Sequence, residues 1–263
     1  MDWLLEWLGR RLAKYLSQVR PEGTHLATSP PEKLAGALEP GDVLLIEGNT
    51  RISVAIKYLT QSTWSHSALY IGDVLGRTAG APPPGEEPRV LIEADMRAGV
   101  RAVPLSYFAG LHTRICRPVG LAGEELKKVL DFALTRIGEA YDMKNVFDLA
   151  RYLFPTPPVP ARFRRRMIAL GSGDPTRAIC STLIAEAFGS VRYPILPVYV
   201  PPKGGEHADA AQEEILHIRH HSLYVPRDFD ISPYFAIVKP TIAHGFDYRK
   251  LHWEELKAEA AAR

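Results

Sequence analysis

The fold is constrained most by how strand-like and helix-like segments are grouped along the chain. Short apolar runs, bounded by glycine, proline and aspartate, recur between residues 43 and 117. Regular helical spacing is clearest later, over residues 124–137, where leucine, valine, alanine and isoleucine form one face. Because the strands cluster instead of alternating with helices, the grouping predicts an α+β fold.

Individual segments extend this prediction. The pattern predicts strands at 43–48, 66–72, 90–94, 99–104 and 113–117, with 90–94 and 99–104 forming a hairpin. Helices are expected at 51–60, 124–137, 145–154 and from Cys180 to Gly189. Residues 76–88 and 201–212 are expected to be surface loops, and residues 222–239 short strands or extended segments. The charged, alanine-rich end from residue 249 onward is expected to be a helix.

Composition narrows the class of protein. In the 263 residues, hydrophobic content of 46% and charged content of 24% are ordinary for a globular protein with a substantial core. A net charge of +2 does not call for a nucleic-acid partner. Two cysteines cannot form a disulfide framework, and free thiols fit a reducing compartment. Cys116 alternates with charged neighbours along a predicted strand, so its side chain is expected to point into the core.

The N-terminal segment carries an apolar stripe. Residues 2–19 place Trp3, Trp7 and several leucines at helical spacing, with basic residues mostly off that stripe. Asp2 and Glu6 interrupt the start, so a secretory signal is not expected, and no apolar run approaches the length of a membrane span. The stripe fits a helix packed on its own domain or a partner, which we favour, or one lying on a membrane surface.

Cys180 and His66 are the residues that indicate chemistry. A cysteine at the start of a helix is exposed to unpaired N–H groups and a partial positive charge, which favour the thiolate. A histidine on a facing strand can accept the thiol proton, so the two residues suit a cysteine nucleophile. Both have plainer interpretations, as an inert buried thiol and a core histidine. If the helix began at Asp174-Pro175, the effect on Cys180 would weaken.

Glu93 is the best candidate for a third member that orients the histidine. It interrupts the apolar run Val90-Leu91-Ile92, on a strand expected beside that of His66. An unpaired carboxylate would be costly to bury there, so a partner is expected. An edge-strand glutamate that faces water is an equally good interpretation.

Six segments together resemble the NlpC-type papain-like superfamily. Because the cysteine segment follows the histidine strand, their order is similar to that of the circularly permuted branch, the YiiX/YaeF-like enzymes, to which lecithin retinol acyltransferase-like proteins are related. The segments are Gly41-Asp42-Val43, Ser65 to Asp73, Ile92-Glu93-Ala94, Ala140-Tyr141-Asp142, Cys180-Ser181 and Pro226 to Pro233.

The resemblance implies a permuted papain-like fold, in which an antiparallel sheet or small barrel packs against the helix that carries the cysteine. It implies Cys180 as nucleophile, His66 as general base and then acid, Glu93 as the residue orienting His66, and Tyr141 beside the nucleophile, helping to hold the oxyanion. No cofactor or metal is expected. The implied catalytic domain spans residues 40–240 with an insert at about 155–175, between an N-terminal helix and connector, 1–39, and a C-terminal helical tail, 241–263.

The expected activity is that of a cysteine-dependent hydrolase or acyltransferase acting on an amide or ester through a thioester. The substrate is expected to be a small molecule, a peptide or an acyl lipid, with no nucleic acid. We expect a cytoplasmic protein that the N-terminal helix could bring to a membrane. One alternative is a non-catalytic lipid- or peptide-binding module on the same fold. Another, which we disfavour, is a metal site on a helix carrying His217 and His221.

Overall fold

A computed structural model describes most of the predicted domain. It covers residues 11, 14–19, 27–80, 82–139, 179–200, 215–217, 221 and 224–250. Tyr141, the predicted helix at 145–154, the insert at 155–175, the loop at 201–212 and most of the predicted tail lie outside the described residues.

The described elements follow the predicted grouping of strands before helices. The helices are α1 (Pro31–Ala37), α2 (Arg51–Thr60), α3 (Val74–Ala79), α4 (Gly123–Thr135), α5 (Ile179–Gly189), α6 (Pro226–Asp230) and α7 (Pro240–Ala243), with 3₁₀ turns at Leu105–Phe108 and Tyr248–Lys250. The strands are β1 (Val43–Ile46), β2 (His66–Tyr70), β3 (Arg89–Asp95), β4 (Gly99–Pro104), β5 (Thr113–Pro118), β6 (Val198–Val200), β7 (Ile215–His217) and β8 (Phe235–Val238).

Six of these strands form an open antiparallel sheet in the order β4-β3-β2-β1-β5-β8. The predicted hairpin is present, since β3 and β4 pair from Arg89↔Pro104 to Asp95↔Gly99. Strand β1 is central and lies between β2 and β5. The α+β prediction is confirmed, and an open sheet is formed instead of a barrel.

Both faces of the sheet are covered, which explains the unbroken apolar run of β1. Val43 and Leu45 point into one core together with α4 and α5, whereas Leu44 and Ile46 point into a second core with α1 and Phe108. Side chains alternate along a strand, so a strand buried on both faces needs an apolar residue at every position. We call these two surfaces the α5 face and the α1 face of the sheet.

Helix α5 packs on its face of the sheet against β2, β3 and α4. Its C-terminal half carries Phe188, which is fully buried. The ring of Phe188 lies 5.3 Å from that of Phe235, 5.4 Å from that of Tyr193 and 6.5 Å from that of Phe229. This aromatic cluster fixes the helix on the sheet, and with it the position of Cys180 near its start.

Several predictions of local structure need correction. The surface loop expected at 76–88 begins later, because the chain continues helically to Ala79, with the Arg77 N–H donating to the Asp73 carbonyl at 3.1 Å. The segment expected to be extended at 222–239 contains α6, which starts with Pro226 and is capped where Asp228 accepts from the Val225 N–H at 3.0 Å. Helix α4 ends at Thr135, two residues earlier than expected.

The described part of the N-terminal segment packs beside α2. Residues 14–16 are helical, and Leu16 is fully buried. The Arg51 guanidinium donates to the Tyr15 hydroxyl at 2.7 Å, and its carbon lies 4.3 Å from the centre of that ring. Among the helices described, none has the length and apolar character to cross a bilayer.

Candidate active site

The site lies where strands β2 and β3 stop pairing. Their register covers Leu69↔Ile92 and Tyr70↔Leu91, whereas His66 stands at the opposite end of β2. Helix α5 packs against both strands and brings Cys180, its second residue, to this end. Cys180 is 4% exposed, so the thiol is nearly buried.

His66 and Glu93 meet on the α1 face of the sheet. The imidazole Nε2 lies 2.6 Å from the Glu93 Oε2, with the His66 side chain 23% exposed and that of Glu93 only 3% exposed. Because Nε2 is engaged by the carboxylate, Nδ1 is the nitrogen left for the thiol of Cys180. The structure therefore brings three of the four predicted site residues together, and the fourth, Tyr141, lies outside the described residues.

Arg101 provides the partner that a buried carboxylate requires. It stands directly opposite Glu93 in the β3–β4 pairing. Its Nε and Nη2 lie 2.9 and 2.7 Å from the Glu93 Oε1, and its Nη2 donates to the Tyr107 hydroxyl at 2.6 Å. Burial raises the pKa of Glu93, but the His66 hydrogen bond and the charges of His66 and Arg101 outweigh it, so this pKa lies below its ordinary value.

The ionisation of His66 and Cys180 is coupled. Burial lowers the pKa of His66, but the charges and hydrogen bonds of Cys180 and Glu93 outweigh it and hold that pKa well above its ordinary value. Burial likewise raises the pKa of Cys180, but the charge of His66 and hydrogen bonds from His66 and Ser67 bring it below its ordinary value. Both shifts favour a thiolate–imidazolium pair.

The second cysteine has the opposite character. Cys116 on β5 is fully buried, as its alternation with charged residues predicts. Burial, its main cause, raises the pKa of this thiol strongly, and the charge of Asp230 raises it further. An un-ionised, inaccessible thiol is a poor nucleophile, so Cys180 is the reactive candidate of the two.

Two nearby structural features hold the site in place. The buried hydroxyl of Ser181, the residue after Cys180, donates to the Tyr224 carbonyl at 2.9 Å and ties the start of α5 to the segment before α6. On the α1 face, the ring of Phe108 lies 5.8 Å from that of His66 and is itself buried. The nucleophile and the imidazole are thus anchored through different parts of the fold.

Sequence reasoning missed Arg101 and Ser67. A signal for Arg101 was available, because pairing the two predicted hairpin strands places a basic residue opposite Glu93. For Ser67, which follows His66, the sequence held no comparable signal. A small polar residue in a strand does not reveal what the opposite layer brings against it.

The proposed pair of metal-ligating histidines does not share a helix. His217 ends strand β7, where it pairs with Val198 on β6. His221 lies 3.1 Å from Glu186 of α5, in an ion pair when the imidazole is protonated. Within the described residues, no group of three or more histidine, cysteine or acidic side chains is arranged to hold a metal ion.

Part of the chain matches a known protein family. Residues 37–153 match the family described as permuted papain-like amidase enzyme, YaeF/YiiX. This range includes His66 and Glu93 and ends before Cys180. The resemblance to the permuted papain-like branch is therefore confirmed over residues 37–153, and the family that matches there is described as one of amidases.

One solved structure is similar along most of its length. It is the crystal structure of the metalloprotein yiiX from Escherichia coli O157:H7, which aligns with a TM-score of 0.44 and 16% sequence identity. The alignment covers 77% of this chain and 97% of that one. The comparison with curated proteins yields no significant match.

Proposed function

We propose that this protein cleaves an amide bond by forming a thioester on Cys180. The observation that carries the proposal is the contact of His66 with Glu93 at 2.6 Å, on an imidazole whose other nitrogen serves the thiol. A nucleophile, a base within hydrogen-bonding reach and a third group that orients the base are the parts of an activated nucleophile. The family that matches residues 37–153 is described as one of amidases, which favours an amide over an ester as the substrate.

The resting state in this proposal is the ion pair. The pKa of His66 is raised and that of Cys180 is lowered, so the thiol proton resides on the imidazole between the two shifted values. Glu93 remains ionised because Arg101 pairs with it, and its charge stabilises the imidazolium. The thiolate is thereby available near neutral pH without an external base.

Acylation starts when the Cys180 thiolate attacks the carbonyl carbon of the amide. The carbonyl oxygen becomes an oxyanion, and the backbone N–H groups of Cys180 and Ser181, which lie in the first turn of α5, are suitable donors to it. The His66 imidazolium then gives its proton to the leaving nitrogen as the carbon–nitrogen bond breaks. An amine departs, and a thioester with a neutral His66 remains.

Deacylation uses the same imidazole in the opposite direction. Neutral His66 takes a proton from a water molecule, whose oxygen attacks the thioester carbon. The carbon–sulfur bond breaks, the product acid leaves, and the thiolate–imidazolium pair is restored. If an alcohol or amine replaces water, the same steps transfer the acyl group, so acyltransfer is a variant of this chemistry.

Substrates of this proposal are small molecules, peptides or acyl lipids. The N-terminal segment could place the enzyme at a membrane, although its described residues pack through Tyr15 and Leu16 against the domain. A panel of peptide amides, acyl amides and acyl esters separates these classes. Preferential turnover of the esters, or transfer to an added alcohol, would replace the amidase by a lipid acyl hydrolase or acyltransferase.

The first test is the reaction of the thiol with iodoacetamide at pH 6, followed by intact mass for the wild type, Cys180→Ala and His66→Ala. We expect fast addition of one carbamidomethyl group, lost in Cys180→Ala and slowed in His66→Ala. A wild-type protein that reacts no faster than a free thiol would contradict the proposal. That result would favour a non-catalytic binding module on the same fold.

A further inference from the structure

We propose that Ser67 is a further member of the active site, whose hydroxyl and backbone N–H donate hydrogen bonds to the Cys180 thiolate and hold the sulfur for attack. The inference rests on the proposed thiol chemistry and adds a residue that acts on the sulfur itself. It is supported by the direction of the Ser67 side chain, the direction of its N–H and the burial of its hydroxyl.

The Ser67 side chain points to the face of the sheet that carries the nucleophile. Ser67 is paired with Leu45 and lies two residues before Leu69, so its side chain is on the same face of the sheet as theirs. Leu45 and Leu69 belong to the core that includes α5. His66, one residue earlier, points the other way, to the α1 face, where its ring meets Phe108. The imidazole and the hydroxyl therefore lie on opposite faces of β2, and the hydroxyl is on the face that packs against α5, the helix of Cys180.

The backbone N–H of Ser67 points toward the same gap. Along β2, the Tyr70 N–H donates to Asp42 beside β1 at 2.8 Å, while the next N–H, that of Ile71, donates to Val90 of β3 at 2.8 Å. Because N–H directions alternate along an antiparallel strand, the Ser67 N–H points toward β3. The register between the two strands ends at Leu69↔Ile92, so this N–H lies beyond their pairing, and α5 packs against both strands.

The Ser67 hydroxyl needs an acceptor. The side chain is fully buried, and its Oγ is one of three buried side-chain polar atoms in the described part of the chain that have no hydrogen-bond partner. A hydroxyl buried without a partner is costly, whereas a thiolate is an acceptor for which such a bond is strengthened by charge. The lowered pKa of Cys180 includes contributions from both the hydroxyl and the N–H of Ser67.

A matched control lies on the same helix as the nucleophile. Thr182, two residues after Cys180, also has a buried hydroxyl without a hydrogen-bond partner. Ser67→Ala and Thr182→Ala each delete one such hydroxyl, and both replacements are smaller than the residues they replace, so both variants should fold. Ser67→Thr keeps a hydroxyl at position 67.

The experiment measures the rate of Cys180 alkylation by iodoacetamide from pH 4 to 9. The acid limb is the part of the pH profile in which the alkylation rate falls because the thiolate becomes protonated. We expect the acid limb of Ser67→Ala to lie about one pH unit higher than that of the wild type, so that alkylation at lower pH is about tenfold slower. Thr182→Ala and Ser67→Thr should keep the wild-type limb. Since a merely structural role would not change the ionisation of the sulfur, the limb separates that role from the proposed one.

Three outcomes overturn the inference. An acid limb in Ser67→Ala equal to that of the wild type would show that Ser67 does not hold the thiolate, while leaving the proposed function intact. An equal shift in Ser67→Ala and Thr182→Ala, or in Ser67→Ala and Ser67→Thr, would assign the effect to packing. A wild-type thiol with no acid limb below that of a free cysteine would remove both this inference and the proposed function.

Discussion

Replacing Glu93 by glutamine tests the coupling between the buried carboxylate and the catalytic pair. Glutamine keeps the shape and a carbonyl acceptor for the imidazole Nε2, which lies 2.6 Å from the carboxylate, but removes the charge. The Glu93 charge is one of the causes that raise the pKa of His66, so the variant should hold its imidazolium less firmly. The thiolate should be stabilised less as a consequence.

The size of the effect follows from Coulomb's law. Two unit charges about 4 Å apart interact by about 4 kcal/mol at an effective dielectric constant of about 20, or about three pKa units at most. The His66 side chain is 23% exposed, and Arg101 already compensates part of the carboxylate charge, so both reduce this figure. We expect the pKa of His66 to fall by about 1–2 units in Glu93→Gln.

Two alkylating reagents separate the ionisation of His66 from that of Cys180. The neutral reagent iodoacetamide reports the thiolate, whereas the rate of anionic iodoacetate depends also on attraction by the imidazolium. In Glu93→Gln, the ratio of the iodoacetate rate to the iodoacetamide rate should decline at a pH about 1–2 units lower than in the wild type. The acid limb for iodoacetamide should move up, because loss of the imidazolium raises the pKa of the thiol. The pH range in which the thiolate and the imidazolium are both present should therefore become narrower at its upper and its lower end.

Glu39→Gln is the control for this variant. This variant also removes a carboxylate that pairs with an arginine, since Glu39 Oε1 lies 2.6 Å from Arg117 Nη1. Glu39 precedes β1, whereas His66 pairs with Ile46 at the other end of that strand. We expect wild-type pH limbs for the control. A rate ratio in Glu93→Gln that declines at the wild-type pH would refute the assignment of Glu93 as the group that supports the imidazolium.

Three further predictions concern the surroundings of the site. Arg101→Gln should raise the pKa of Glu93, so the carboxylate would become protonated at a higher pH than in the wild type. The acid limb of Cys180 alkylation should then move to higher pH, but by less than in Glu93→Gln, because Arg101 is one-third exposed. Arg101→Lys should recover part of the shift. An unmoved limb in Arg101→Gln would show that this pairing does not control the carboxylate. Phe188→Ala should lower the free energy of unfolding, measured with denaturant, by about 3–5 kcal/mol, because it removes a fully buried ring. The control Phe246→Ala, at a ring that is 52% exposed, should change this free energy by less than about 0.5 kcal/mol. Similar losses in both variants would contradict the aromatic cluster as the anchor of α5. Cys116 should resist iodoacetamide in the native protein and react in guanidinium chloride, as counted by intact mass, and native labelling of two thiols would contradict its burial.

Sequence patterns determined most of the sheet because they are local. The apolar run at β1 required burial on both faces, and the alternation around Cys116 placed that thiol in the core, since the period of a strand is two residues. The hairpin of β3 and β4 followed from two strand-like runs separated by a short turn. Short helices were harder to predict, as α3 and α6 show, because five or six residues carry almost no periodic signal.

The candidate site divides in the same way. The residue types of Cys180 and His66 suggested a cysteine nucleophile, and the resemblance of six segments to permuted papain-like enzymes added Glu93 and the fold. Whether Glu93 faces water or the imidazole was left open by the sequence, and so was any role of Ser67. Only the tertiary structure decided the position of each side chain: Glu93 lies against His66, and Ser67 lies on the face of the sheet that carries α5. Contacts between residues distant along the chain depend on the packing of whole elements, which no local pattern encodes.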